Sequence, residues 1–318
     1  MNNEPKDCSM SKTSVKPRIA LIGVGLMGSR MASRLLDAGY SLSLRNRNPE
    51  KCRDLEARGA RNATSVGEAV ADADVIITCL AGADAIDLVY FGEDGIVPNA
   101  PKDSLLIDMS SLAPDLAQGV HQRLSEAGYA HHLDAPVSGG TSGAEAGTLS
   151  IMAGGAQEDL DRARPIFDVL GNVFYLGGEG AGQVCKLVNQ AIVHVTIGAV
   201  TEGLMLAEAL GVDAGKVREA IGGGYCQSRI LEIHGEKMVN RDFVPGGPLE
   251  YSVKDMSQAV QLAGNSHLDL PLSQSVLKQY RHLLDSGRGR LDHSALLLAY
   301  EEDNAPIKVS PDKDDTLP

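Results

Sequence analysis

Arg18-Ile-Ala-Leu-Ile-Gly23-Val-Gly-Leu-Met-Gly28 is a short apolar run ending in a Gly-x-Gly-x-x-Gly turn, and Ser29 to Ala38 then keep helical spacing until Gly39 stops them. A bare glycine triplet is a weak signal, since a chance surface turn has the same letters. Here it stands in the order strand, turn, helix, which dinucleotide binding requires. Gly23 permits the tight turn, Gly25 lets the backbone approach a pyrophosphate, and Gly28 lets the helix close on the strand. With Leu26 and Met27 between them, these residues form the expected cofactor-binding turn.

A second strand, Ser41 to Arg45, ends at Asn46, eighteen residues past Gly28. An NAD-preferring site carries Asp or Glu there for the ribose 2′-hydroxyl. Asn46 is neutral, and the flanking Arg45 and Arg47 suit a 2′-phosphate that an acidic side chain would repel. Surface arginines are common, so the missing acid and Arg47 together carry the expectation of NADP (NADPH). The alternation continues with a helix at Pro49 to Arg58, a short strand near Arg61, a helix at Val66 to Ala71 and strands Val75 to Leu80 and Ser104 to Met109. Such alternation predicts an α/β fold with a doubly wound parallel sheet. The loop Val137-Ser-Gly-Gly-Thr-Ser-Gly143 follows Asp134-Ala-Pro136, and its freed backbone N–H groups make either a flexible turn or a cradle for a carboxylate or phosphate. Leu149 to Ala153 and Val173 to Leu176 close the sheet around a helix at Gln157 to Leu170.

From Gly180-Ala-Gly-Gln-Val-Cys-Lys-Leu-Val-Asn189 an apolar run continues to Leu210 without a proline, and Gly211 stops it. It reads as one interdomain helix, apolar on nearly every side and so expected to be buried all round. Lys186, Asn189, Gln190, His194, Glu202 and Glu208 interrupt every window of about 20 residues that a bilayer requires. Lys186 and Asn189 share one face. A buried ammonium costs several kcal/mol without a partner, so Lys186 needs an ion pair, a cleft or a chemical role. Beyond Asp213 the strands disappear, and helices are expected at Ala214 to Ile221, Arg229 to Met238, Val253 to Ala263, Leu272 to Ser286 and His293 to Glu302, with Asp292 as an N-cap. The expected organisation is a disordered tail (1–16), an NADP-binding Rossmann domain (17–181), an all-α substrate and oligomerisation domain that includes the interdomain helix (182–303) and a loose charged tail (304–318).

The 318 residues suffice for two domains, and a formal net charge of −13 without any run of Lys or Arg argues against nucleic acid and anionic membranes as partners. Five scattered cysteines, none in a C-x-x-C pair, suggest neither a disulfide framework nor a zinc site. A reducing, cytoplasmic location fits. The first 16 residues have no apolar core of a signal peptide.

With these residues assembled, the chain resembles the β-hydroxyacid dehydrogenase family, relatives of 3-hydroxyisobutyrate dehydrogenase, tartronate semialdehyde reductase, glyoxylate/succinic semialdehyde reductase and, more distantly, 6-phosphogluconate dehydrogenase. The likeness spans roughly residues 18 to 302 in four ordered motifs: the glycine turn, Asp134-Ala-Pro-Val-Ser-Gly-Gly140, Gly182-Gln-Val-Cys-Lys-Leu-Val-Asn189 and Lys254-Asp255. It implies that Ser138, Gly139 and Gly140 hold the substrate carboxylate, that Lys186 is the acid/base and that Asn189 orients the substrate oxygen. It also implies that Lys254 approaches cofactor or substrate from the second domain, that Ser110 lies near the nicotinamide beside Leu80, and that the protein is a homodimer or homotetramer. Ala81, Gly247 and Tyr251 stand where the family commonly has Pro, Phe and Leu, all near the substrate pocket. The function implied is NADPH-dependent interconversion of a small semialdehyde or keto acid with its hydroxy acid. A catalytically silent NADP(H) sensor or scaffold is the alternative from another class, and imine reduction is a third. Lys186 and Asn189 disfavour the scaffold, and the lysine and carboxylate loop disfavour the imine.

Overall fold

In the computed structural model, which describes residues 16–318, Ile19–Ile22 is a strand, β1, buried along its whole length. The expected disordered tail lies outside the described residues except for Lys16. Ile19 and Leu21 enter one hydrophobic cluster and Ala20 and Ile22 another. Both faces of the strand are therefore covered, which is why its sequence is continuously apolar. Then follow α1 (Leu26–Asp37), β2 (Leu42–Arg45), α2 (Arg53–Glu56), β3 (Arg61–Asn62), α3 (Val66–Val70) and β4 (Val75–Thr78). Two short helices, α4 (Ala83–Phe91) and α5 (Ile96–Asn99), lead to β5 (Leu105–Asp108), α6 (Pro114–Glu126) and β6 (His132–Asp134). The six strands are parallel in the order β3-β2-β1-β4-β5-β6. That order reverses between β1 and β4, where ligands of such sheets bind outside the carboxyl ends of the strands.

The sheet changes direction beyond β6. Next come β7 (Val137–Ser138), α7 (Gly140–Ala146), β8 (Leu149–Gly155), α8 (Gln157–Leu170) and β9 (Gly171–Gly177). Strand β8 runs antiparallel to β6 and β7 and parallel to β9. The expected parallel sheet thus gives way at this edge. In the order β6-β8-β7, β8 enters between the other two strands and runs against both.

Helix α9 (Ala181–Ala209) is 29 residues long, roughly 44 Å at the α-helical rise. It packs on β8 and β9 at one end and, farther along, on α10 (Ala214–Ile221), α11 (Arg229–Asn240), α12 (Leu249–Asn265), α13 (Pro271–Asp285) and α14 (Leu296–Asp303). These helices enclose a separate core around Ile197, Met238, Met256, Tyr280 and Leu297. The expectation that α9 is buried all round does not hold within one chain. Val184, Val188, Ile192 and Leu206 are exposed, because the other helices cover only one side and the first three, four apart, form a stripe on the other.

The loose C-terminal tail is also a misreading. Val309 is fully buried in the helical core, and the Thr316 backbone bonds both Arg241 and Phe243. The guanidinium of Arg241, 1% exposed, binds Glu301 at 2.7 Å and Asp315 at 2.5 Å. Acidic residues in the tail read as solvated, but they are partners for a buried cation and pin the segment down.

Candidate active site and cofactor crevice

The glycine turn follows from steric demands of its backbone. Gly23 has φ +105°, and a Cβ there would lie 2.2 Å from the Cys79 carbonyl oxygen. A Cβ on Gly28 would lie 2.0 Å from the Gly23 carbonyl oxygen, so α1 closes directly on the turn. Gly25, by contrast, faces open space with no heavy atom within 4 Å. As the N-cap of α1 it supplies no side chain to the free N–H groups of the first turn, where no acidic residue stands. Free donors at a positive helix end beside an unfilled approach fit a pyrophosphate. Leu26 is exposed at this mouth and Met27 packs into the core behind it.

Asn46 has a more structural part than its position suggests. Its Oδ1 accepts from the Val24 N–H at 3.1 Å and its Nδ2 donates to the Asn48 carbonyl at 2.9 Å, tying the end of β2 to the glycine turn. Arg47 beside it is exposed. Leu80 donates its N–H to Ser110 Oγ at 2.8 Å, and Ser110 is itself buried. The serine thus joins the loops after β4 and β5 and fixes their shape. Gln183, on α9, extends the same brace: its amide accepts from the Leu112 N–H and donates to the Ser110 carbonyl.

The start of α9 is held by Asp134, whose carboxylate accepts from the N–H groups of Gly180 at 2.8 Å and Gln183 at 3.0 Å. Burial pushes this carboxyl up to about 6, against the pull of those two donors. Gly182 is required here, since a Cβ would meet the Met152 carbonyl oxygen at 2.2 Å. This anchoring aims the next turn of α9, with Lys186 and Asn189, at the loop after β7.

Lys186 is 8% exposed, and its Nζ donates to Gln190 Oε1 at 3.0 Å. The same oxygen accepts from Asn189 Nδ2 at 2.9 Å, and Asn189 Oδ1 accepts from Ser138 Oγ at 3.4 Å. Gln190 Nε2 donates to Asp255 Oδ2 at 2.7 Å, and Asp255 pairs with Lys254 at 3.2 Å. Lys254 Nζ reaches back to the Ser111 carbonyl at 2.9 Å. One network therefore links Ser138, Lys186, Asn189 and Lys254 across both domains. Burial pushes the Lys186 ammonium down to about 8; the Asp255 carboxylate opposes that and the Lys254 ammonium reinforces it. Gly139 and Gly140 adopt φ of +129° and +63°, and Gly140 faces open space.

Gln190, noted in the sequence only as a polar break in the apolar run, and Asp255 are the residues whose part in the site sequence reading missed. Gln190 lies four residues from Lys186, on the same helix face, and Asp255 stood unassigned inside the Lys254-Asp255 motif. Of the three departures, Ala81 lines an interdomain cleft of about 340 Å³ with Gly82, Ser111, Lys254 and Gln258. Gly247 backs onto His293, whose Nε2 a Cβ would meet at 2.1 Å, and Tyr251 is exposed. A larger cavity of about 790 Å³ lies under the C-terminal segment, and none of the predicted site residues lines it.

Comparison with known proteins gives the same two-part division. Residues 18–178 match the NAD binding domain of 6-phosphogluconate dehydrogenase. Residues 180–300 match the family described as NAD-binding of NADP-dependent 3-hydroxyisobutyrate dehydrogenase. The chain is 39% identical over 287 residues to 2-hydroxy-3-oxopropionate reductase of Escherichia coli K12, covering 89% of this chain and 97% of the relative. It is 35% identical to NAD-dependent L-serine dehydrogenase of Pseudomonas aeruginosa, covering 88% and 96%. Among solved structures, 3-hydroxyisobutyrate dehydrogenase of Mycobacterium tuberculosis with L-serine superposes with a TM-score of 0.79 at 29% identity, covering 90% and 99%.

Proposed function

Because the chain belongs to the β-hydroxyacid dehydrogenase family, oxidoreductases that use a nicotinamide cofactor, we propose that it reduces a small carboxylate-bearing semialdehyde or keto acid with NADPH. The reaction is reversible, giving the corresponding hydroxy acid. The observation that carries this reading is Lys186: a buried ammonium held by Gln190, with its proton affinity lowered to about 8, beside Asn189 and Ser138. An acid/base group works best when its pKa lies near the operating pH. A silent scaffold has no use for so costly a buried charge.

The cofactor supplies a hydride to the carbonyl carbon. As the C=O bond becomes a C–O single bond, Lys186 Nζ gives its proton to the oxygen and is left as a neutral amine, to be reprotonated from solvent. In the oxidative direction the neutral amine takes the hydroxyl proton. Asn189 orients the same oxygen, and Ser138, Gly139 and Gly140 bind the carboxylate with their hydroxyl and backbone N–H groups. Lys254 holds the α12 side of the cleft against the loop after β5 and keeps the Lys186 ammonium from being favoured. Gly23, Gly25, Leu26, Met27, Gly28, Leu80 and Ser110 shape the crevice for the cofactor.

The neutral Asn46 and the exposed Arg47 favour NADPH over NADH, because a 2′-phosphate meets a cation and no carboxylate there. The E. coli relative's name makes 2-hydroxy-3-oxopropionate the first substrate to try. We place the enzyme in the cytoplasm as a homodimer or homotetramer, with the exposed apolar stripe of α9 against a second copy. Mass by light scattering tests the assembly, and a monomer contradicts it. The activity is tested by loss of NADPH absorbance with 2-hydroxy-3-oxopropionate, succinic semialdehyde and glyoxylate. Steady turnover with one of these is expected. No turnover with any semialdehyde or keto acid, despite tight NADPH binding, favours the scaffold reading instead.

A further inference from the structure

His293 is a half-buried imidazole beside the acid/base network that the reaction leaves without a part. It directly follows Asp292, the N-cap of the short turn before α14. Its Nδ1 shares a hydrogen bond with Ser252 Oγ on α12, and the ring lies 5.4 Å from that of His194 on α9 and 5.8 Å from that of His234 on α11. Ser252 stands three residues before Asp255 and His194 four residues after Gln190, each one helical turn away on the same face. The ring therefore sits one turn from the bond by which Asp255 holds Gln190, and through it Lys186. Burial pushes the His293 pKa down to about 4; Asp292 and Asp255 oppose that shift, and His234 and Lys186 reinforce it. The imidazole is thus neutral at ordinary pH and feels the charge of the acid/base.

The other ring nitrogen is free. Nε2 bonds none of the described residues, and unlike both nitrogens of His194 it is not sealed from solvent. Gly247 makes the room for it: a Cβ there would lie 2.1 Å from Nε2, although the backbone at 247 is outside the left-handed region that demands glycine. The ring, and not the backbone, excludes a side chain at this position. A neutral imidazole with one nitrogen bound to a serine presents the other as donor or acceptor, according to which way the hydroxyl points. A ligand hydroxyl serves either case, and a methyl group of similar size serves neither.

A 3-oxo acid with its carbonyl oxygen on Lys186 and Asn189 and its carboxylate on Ser138 to Gly140 has one position left to face the helical domain, the substituent on the carbon between them. We propose, resting on that reading of Lys186 and the Ser138 loop, that His293 Nε2 hydrogen-bonds a hydroxyl on this middle carbon. Gly247 and His293 together then select hydroxylated over alkyl-substituted semialdehydes. Gln190, Asp255 and Ser252 around the ring are already engaged with one another, with Lys186 or with the ring itself. His293 is a specificity-determining residue, and the proton of the reaction stays with Lys186.

The test compares kcat/KM for 2-hydroxy-3-oxopropionate with that for 2-methyl-3-oxopropionate, which carries a methyl in place of the hydroxyl. The unmutated protein should favour the hydroxylated compound. His293→Leu should lower that preference roughly 3- to 10-fold, the worth of one net hydrogen bond, chiefly by loss with the hydroxylated substrate, while cofactor affinity stays unchanged. Gly247→Ala keeps the imidazole but displaces Nε2, so it should lower the preference in the same way, and it serves alone if His293→Leu does not fold. A preference of the unmutated protein for the methyl compound overturns the proposal. So does an equal loss with both substrates, which is what a ring that only holds Ser252 in place would give. If the unmutated protein turns over neither compound, the functional reading falls and this assignment with it; an unmoved ratio in an active enzyme overturns the assignment alone.

Discussion

The cofactor crevice is built from backbone and the acid/base site from side chains. At Gly23, Gly25 and Gly28 the absence of a Cβ is what matters: two of the three are pressed against carbonyl oxygens and the third faces open space. Around Lys186 everything depends on amide, carboxylate and hydroxyl groups from α9, α12 and the β7 strand meeting at 2.7 to 3.4 Å. The first kind of site tolerates change in polarity but no added volume. The second tolerates volume better than the loss of one polar atom, because a buried network left partly satisfied costs more than none.

Four substitutions sharpen that contrast. The largest effect is expected for Lys186→Ala, which should lower kcat by ~10² to 10⁴-fold while cofactor affinity stays nearly unchanged. Lys186→Arg should restore little, since a guanidinium does not give up its proton. Next, Gly25→Val should fold with an unaltered melting temperature, as nothing lies within 4 Å of its Cβ. It should still weaken cofactor binding up to roughly a hundredfold by filling the approach to the pyrophosphate, taking overpacking as worth about 1 to 3 kcal/mol. A Gly25→Val protein with parental affinity would break the assignment of that space. The smallest is Arg47→Ala, which should erode the preference for NADPH over NADH about tenfold at low ionic strength and less at high salt. Equal affinity of the unmutated protein for the two cofactors would remove the basis for that prediction.

The same contrast explains what could be read from the sequence. The glycine turn was legible because its geometry is local: three residues within one turn state where backbone must pass. Lys186 was legible because a charge in an apolar helix stands out against its neighbours. Gln190 and Asp255 were not, since an amide four residues on and a carboxylate 65 positions further on have no visible relation until α9 and α12 pack together. Gln183 and Asp134 escaped for the same reason. Helices α4 and α5 went unassigned because Gly92, Gly95 and Pro98 punctuate that stretch like a loop. The buried face of α9 was read correctly and its exposed face was not. Apolar composition reports that a surface will be covered, without saying whether by its own chain. The tail failed in the opposite sense: Asp315 is charged, and it pairs with Arg241 in the interior.

The central claim is that Lys186 exchanges the reaction's proton with its pKa lowered to about 8 by burial. The direct measurement is the pH dependence of kcat/KM in both directions. Reduction needs the ammonium, so its rate should be level below pH ~8 and fall about tenfold per unit above it; oxidation needs the neutral amine, so it should rise through the same range and level off. Both limbs should disappear in Lys186→Ala. Profiles without an inflection between about pH 7 and 9, or limbs that survive in Lys186→Ala, would show that the proton comes from another group.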